Sequence, residues 1–219
     1  MGAENLNSFA LNSYDYGFRR DAHQLLAWGY QDALSQIHCN LVEEEITGLI
    51  VEAMEKRLDD LSTPEKFDRY SIDEEKPVAI EGRKGKARRR LDLVVVSGHS
   101  RPRPKYIFEA KRLRKNGYPI GRYVGEDGLQ CFVKGVYASQ YPEAAMVGYI
   151  QSDAESYWET ELKRSLDGYI HNDLCVKQIL QKVQVLSSIP DVWVSEHKRK
   201  EHGLIAVYHI FLNCSASLT

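Results

Sequence analysis

A chain of 219 residues with 43% hydrophobic and 27% charged residues is long enough to enclose one well-formed core, and its formal net charge is −2. No apolar run approaches the ~20 residues that a membrane-spanning helix requires, and the polar segment 1–15 lacks the basic-then-apolar pattern of a secretory signal. The cysteines Cys39, Cys131, Cys175 and Cys214 form neither a CxxC pair nor a zinc-like group with histidine, which reads as reduced thiols in a cytoplasmic protein.

In chain order, residues 1–20, rich in Asn, Ser and Tyr, read as an irregular arm. A helical pattern follows over 21–37, and a second over 41–61 carries Ile46, Leu49, Ile50, Ala53, Met54 and Leu58 at helical spacing. Pro64 marks the break after it. Residues 67–78 read as a strand, and the glycine-bearing basic segment 82–86 as a hairpin turn. The nearly unbroken apolar run 91–96 predicts a buried strand, 106–110 the next one, and 117–128, with its glycines and proline, a mobile loop. A helix over 129–139 and a strand over 144–150 come next. Helical patterns over 154–166 and 174–185 and two strands over 192–196 and 204–212 complete the chain. One domain is expected, with a core over about 41–151 and an extension over 152–219.

The small net charge hides an asymmetry. Between Arg83 and Lys115 there are thirteen Lys/Arg against two acids, Asp92 and Glu109, a local +11 that leaves −13 on the rest. The block brackets two apolar strands, so folding would hold the charge in place as a basic face, the electrostatic footprint of a nucleic-acid partner. Carboxylates are poor neighbours for a polyanion unless a cation stands between them. Glu109 and Lys111 are two apart and project from one face of a strand, and Asp92 on the neighbouring strand can reach that face. Two converging carboxylates suit Mg²⁺, which favours oxygen ligands. The pattern Glu-x-Lys is weak by itself, since the chain has it at Glu74, Glu109, Glu161 and Glu196. Only the copy at Glu109 ends an apolar strand and has a strand-borne aspartate at hairpin distance upstream. A plain ion pair at a strand end is the alternative reading.

Asp92 followed by Glu109-Ala110-Lys111, in this order of elements, resembles the PD-(D/E)XK nuclease superfamily over about 41–151. The resemblance implies an α/β, restriction-endonuclease-like αβββαβ core with a mixed central sheet flanked by helices. It implies hydrolysis of phosphodiesters, most readily in DNA. Asp92, Glu109 and the Ala110 carbonyl would ligate Mg²⁺, with Mn²⁺ as a substitute, and Lys111 would position the water nucleophile. The chain departs from the nominal motif in one place, since Leu91 stands where the proline would precede Asp92. The resemblance also implies a glutamate from the first core helix. Helical spacing favours Glu43, nearest the stripe of Ile46, Ile50 and Met54, with Glu44 next. From the second core helix, Gln130 and Lys134 share a face and are possible members of the site.

Arg83, Lys84, Lys86, Arg88, Arg89, Arg90 and Arg112 are candidates for contacts to nucleic-acid phosphates, which position a strand without reading its sequence. Tyr14, Tyr16, Tyr118 and Tyr123 are candidates for base stacking. Cutting both strands at one site calls for two active sites and so for a homodimer, and the lack of an evident helix-turn-helix or zinc module leaves room for a targeting subunit. The competing function is a non-catalytic nucleic-acid-binding or adaptor protein on the same fold.

Overall fold

The structure is a computed structural model and describes residues 3–77, 90–167, 173–189 and 191–217. Its organising element is the antiparallel pair β2 (Arg90–Ser97) and β3 (Lys105–Leu113), with Leu93 opposite Phe108 and Val96 opposite Lys105. Leu93 and Val95 enter one core, whereas Val94 and Val96 enter another. The run is apolar at successive positions because both faces of the sheet are covered.

β1 (Tyr70–Pro77) lies antiparallel on the outer side of β2, and β4 (Glu143–Ile150) lies parallel to β3. β7 (Gly203–Asn213) then pairs parallel with β4. β6 (Val192–Arg199) and β5 (Val176–Val183) follow as antiparallel neighbours. The result is an α/β protein with a mixed seven-stranded sheet ordered β1-β2-β3-β4-β7-β6-β5. Residues 152–219, expected as an extension, supply β5, β6 and β7 of this same sheet.

α1 (Ala3–Ala33) and α2 (Glu43–Asp59) cover one face through Phe18, Leu25, Ile46, Ile50 and Met54. Their crossing is close: a Cβ on Gly29 would come 2.4 Å from Met54 Cγ and 2.7 Å from the Ile50 carbonyl. α3 (Ile120–Val124), α4 (Leu129–Val133) and α5 (Glu155–Asp167) cover the other face through Tyr123, Leu129, Phe132, Trp158 and Leu162. No helix among the described residues is long and apolar enough to cross a membrane.

Four expectations are corrected. The segment expected as an irregular arm over 1–20 is helical from Ala3 onward. A helix already nucleated by the packed stretch around Ala22 and Leu25 extends into low-propensity sequence without a second nucleation cost. The presumed loop 117–128 contains α3, started behind Pro119. The helix expected over 129–139 stops at Val133, because Gly135 adopts φ 69° against His202, where a Cβ would meet the ring at 2.2 Å. Finally, 174–185 is strand β5 rather than helix. The basic hairpin expected over 82–86 lies outside the described residues.

A line of buried polar groups runs through the core beneath α3. His197 Nδ1 lies 2.7 Å from the Leu174 carbonyl, and its Nε2 lies 2.7 Å from Ser195 Oγ. Ser195 Oγ is 2.8 Å from His209 Nε2, and His209 Nδ1 is 3.0 Å from the Tyr123 hydroxyl. A carbonyl only accepts, so His197 must carry its proton on Nδ1 and accept at Nε2. Ser195 therefore donates to His197, His209 donates from Nε2 to Ser195, and Tyr123 donates to His209 Nδ1 at 3.0 Å, the shorter of its two contacts, the Met146 carbonyl lying at 3.3 Å. One tautomer set satisfies every member, and it ties α3 to β6 and β7.

Burial, then the nearby His197, holds the His209 imidazole down at about 3; burial and then Arg19 do the same to His23. The unfolded chain, with histidines near ~6.5, takes up protons first. Each ring thus withdraws stability as pH falls below ~6.5, about 2 kcal/mol by pH 5. Nitrogen-resolved NMR at pH 5 is expected to show His209 and His23 neutral, with His209 as the Nε2–H tautomer, and at neutral pH to show His197 as the Nδ1–H tautomer. A protonated His209, or the opposite tautomer at His209 or His197, contradicts the assignment.

Candidate active site

The strands part where the acids sit. The β2–β3 ladder ends at Leu93 and Phe108, while β2 continues pairing with β1 as far as Arg90. Continuing the register sets Asp92 across from Glu109 in the opening. Asp92 Oδ2 accepts the Ala110 backbone N–H at 2.7 Å, so a carboxylate takes the place of a ladder bond. Glu109 and Lys111 share the side of β3 that carries Ile107 and Leu113, the side covered by α3, α4 and α5.

Lys111 stands at the point where the oxygens converge. Its ammonium donates to the Ala110 carbonyl at 2.6 Å, to Glu43 Oε1 at 2.8 Å and to Glu109 Oε1 at 3.0 Å, and lies 3.8 Å from Asp92 Oδ2. The three consecutive glutamates of α2 do different work. Glu43 opens the helix and reaches the strand end, where its Oε2 also accepts the Arg112 backbone N–H at 3.0 Å. Glu44 faces the adjoining cavity. Glu45 caps its own helix, accepting the Val42 N–H at 3.0 Å.

Electrostatics follow from this crowding. Burial raises the Asp92 carboxyl to about 6, against the opposing pull of Lys111 and the Ala110 N–H; Glu43 and Glu44 push it further up. Glu109 is only 3% exposed, and burial followed by the charge of Asp92 drives its carboxyl well above the usual range. Burial disfavours the Lys111 ammonium, but Glu109, Asp92 and Glu43 together outweigh it and hold Lys111 charged. With all three carboxyls ionised against one ammonium the cluster would carry a formal −2, an excess that the raised Asp92 and Glu109 carboxyls reflect.

Among the described residues no three His, Cys, Asp or Glu side chains form a ready-made metal cage. The chemistry of the cluster nevertheless fits a hard divalent cation. Glu109 Oε2 is buried without a hydrogen-bond partner, an expensive position for a carboxylate oxygen. Asp92, Glu109 and the Ala110 carbonyl are all oxygen donors of the kind Mg²⁺ and Mn²⁺ take. A divalent charge would neutralise the formal excess.

A cavity of about 500 Å³ opens beside Lys111 and Glu43. Arg112, Tyr118 and Arg122 line it, with Glu126 and Asp127 in the turn that follows α3. Arg112, read from the sequence as a phosphate contact, thus lines the cavity beside the carboxylate–lysine cluster. Gln130 is buried on α4 with its Oε1 unpartnered, and Lys134 pairs with Glu126 at 3.5 Å; neither is hydrogen-bonded to the carboxylate cluster. Tyr123 is fully buried and so offers no face for a base, while the half-buried Tyr118 ring carries the Arg112 guanidinium. Arg83, Lys84, Lys86, Arg88 and Arg89 lie outside the described residues, and Arg90 is described only as the backbone that starts β2. The sequence reading passed over Arg122, Glu126 and Asp127, although Pro119 directly before Ile120 was a helix-start signal.

Comparison with protein-family models, with curated proteins and with solved structures gave no match.

Proposed function

We propose that the protein is a metal-dependent nuclease of the PD-(D/E)XK type that hydrolyses phosphodiester bonds, most readily in DNA, on a restriction-endonuclease-like core. The observation that carries this reading is the convergence of Asp92, Glu109, the Ala110 carbonyl and Glu43 on Lys111 Nζ at an arginine-bordered cavity. Asp92, Glu109 and the Ala110 carbonyl would hold Mg²⁺ or Mn²⁺, which supplies polarisation of the phosphodiester and a lowered pKa for bound water. Lys111, held charged, donates hydrogen bonds that orient the attacking water and offset negative charge developing on phosphorus-bound oxygens. Glu43 fixes the lysine's position through one oxygen and the strand end through the other. Burial around Glu109 keeps bulk water from screening these charges.

The test is incubation of the purified protein with supercoiled plasmid, linear duplex, single-stranded DNA and RNA, with and without Mg²⁺ or Mn²⁺. Metal-dependent cleavage that disappears in Glu109→Ala and in Lys111→Ala is the expected result; cleavage that survives both substitutions removes the mechanism. Glu43→Gln weakens one of the lysine's supports without touching the proposed metal ligands. It is expected to lower the single-turnover rate about 10–100-fold, the range seen when outer supporting groups are lost, with little change in Mn²⁺ affinity measured by calorimetry. A rate equal to wild type would show that Glu43 plays no part in positioning.

A further inference from the structure

The stretch 112–122 supplies Arg112, Tyr118, Gly121 and Arg122 to the cavity wall. β3 delivers Arg112. The chain then turns through Asn116-Gly117, closed by reciprocal backbone hydrogen bonds between Arg114 and Tyr118 of 3.0 and 2.9 Å. Pro119 starts α3, whose third residue is Arg122. The Tyr118 ring carries the Arg112 guanidinium at 3.8 Å and the Arg122 guanidinium at 5.1 Å from its centroid. Cation–π contact of this kind holds flat cations in place and leaves their N–H edges available.

Two features make this arrangement unlike an ordinary surface cluster. Like charges gathered on one ring repel, and among the described residues the ion pairs include neither Arg112 nor Arg122. The cluster is also locked to the reaction centre: the Arg112 backbone N–H is bound by the same Glu43 carboxylate that accepts from Lys111. A shift of the guanidinium pair is therefore coupled to the catalytic lysine through one side chain.

We propose that Arg112 and Arg122, splayed on Tyr118, form a clamp for the backbone phosphate next to the scissile one, so that the enzyme grips a polynucleotide strand without reading its bases. The inference rests on the nuclease reading above. Guanidinium forks match phosphate oxygens in bidentate geometry, and such contacts set register without sequence information. The tyrosine serves as a platform for arginines rather than for a base.

The experiment measures binding of a labelled single-stranded oligonucleotide, and of its duplex, across a salt series with Ca²⁺ in place of Mg²⁺. Arg112→Ala and Arg122→Ala are each expected to reduce the slope of log K against log salt by about 0.7–0.9, and the double variant by about twice that. The loss should be equal for two unrelated sequences. Arg122→Glu, at an exposed helix position, should act in the same direction more strongly, and thermal melting checks that each variant folds. Arg164→Ala, which removes a surface pair with Glu161 on α5, should leave the slope unchanged. If wild type binds and cleaves but the arginine variants keep its slope, or lose affinity for one sequence only, the clamp is wrong and the nuclease reading stands. If wild type neither binds nor cleaves any polynucleotide, both fall.

Discussion

Replacing Glu109 with glutamine is expected to abolish metal-dependent cleavage, by at least about 10³-fold, while raising the stability of the metal-free protein by about 1–2 kcal/mol. The two effects have one origin. Glu109 is almost fully buried, one of its oxygens has no hydrogen-bond partner, and Asp92 sits across the opening from it. An amide of the same shape keeps an oxygen to accept from Lys111 and removes both the desolvated charge and its repulsion with Asp92. Removing one carboxylate lowers the formal excess of the cluster, so the ammonium remains compensated by Glu43 and Asp92. The same substitution removes the buried anionic oxygen that a divalent cation would take. Denaturant unfolding in EDTA, calorimetry with Mn²⁺ and a plasmid cleavage assay check the three parts. A variant that is less stable and still binds Mn²⁺ would show that Glu109 is a structural acid with no role toward metal.

The carboxylate–lysine cluster was legible because each member sits in an element with a strong period. Asp92 and Glu109 flank a hairpin whose apolar runs allow only one reading, and the two-residue spacing of Glu109 and Lys111 fixes a shared face. Glu43 could be separated from Glu44 and Glu45 because Ile46, Ile50 and Met54, all buried, define the inward stripe of α2. What spacing could not reveal was that Lys111 and Arg112, on opposite faces of β3, both reach the cavity. That depends on the strand end being open.

The misread segments fail for identifiable reasons. In β5 the apolar residues Val176, Ile179, Leu180 and Val183 fall at helical intervals. The strand carries irregularities between Val176 and Gln178 and between Gln178 and Gln181, which break the strict alternation of a strand. Ile179 is 45% exposed in consequence, as an outward position on an edge strand can be. α3 was hidden by length: five residues flanked by glycines give no periodic signal, and its place is set by Tyr123 reaching His209 under the sheet. The arm over 1–20 misled through composition, since Asn and Ser are weak helix formers unless a neighbouring turn is already in place.

Lys111→Met separates the structural role of the lysine from the catalytic one proposed for it. Methionine keeps much of the apolar stem and deletes the ammonium, leaving Asp92, Glu109 and Glu43 as three uncompensated carboxylates around one point. Without metal the variant should lose about 3–5 kcal/mol of stability, the cost of stranding buried charge. A divalent cation meets the opposite balance. In wild type it must displace an ammonium that donates to Glu43, Glu109 and the Ala110 carbonyl; in the variant it meets a more negative set of oxygens with nothing to displace. Mn²⁺ should therefore bind at least about tenfold more tightly, ~1.4 kcal/mol, and raise the melting temperature of the variant more than that of wild type. Cleavage should still be lost, because no cation remains to orient water. The combination of tighter metal, larger thermal rescue and no turnover is specific to a lysine that shares its position with the metal. If Mn²⁺ instead binds more weakly to the variant, the carboxylates converge on Lys111 as a structural ion-pair network, and the metal site must be sought elsewhere.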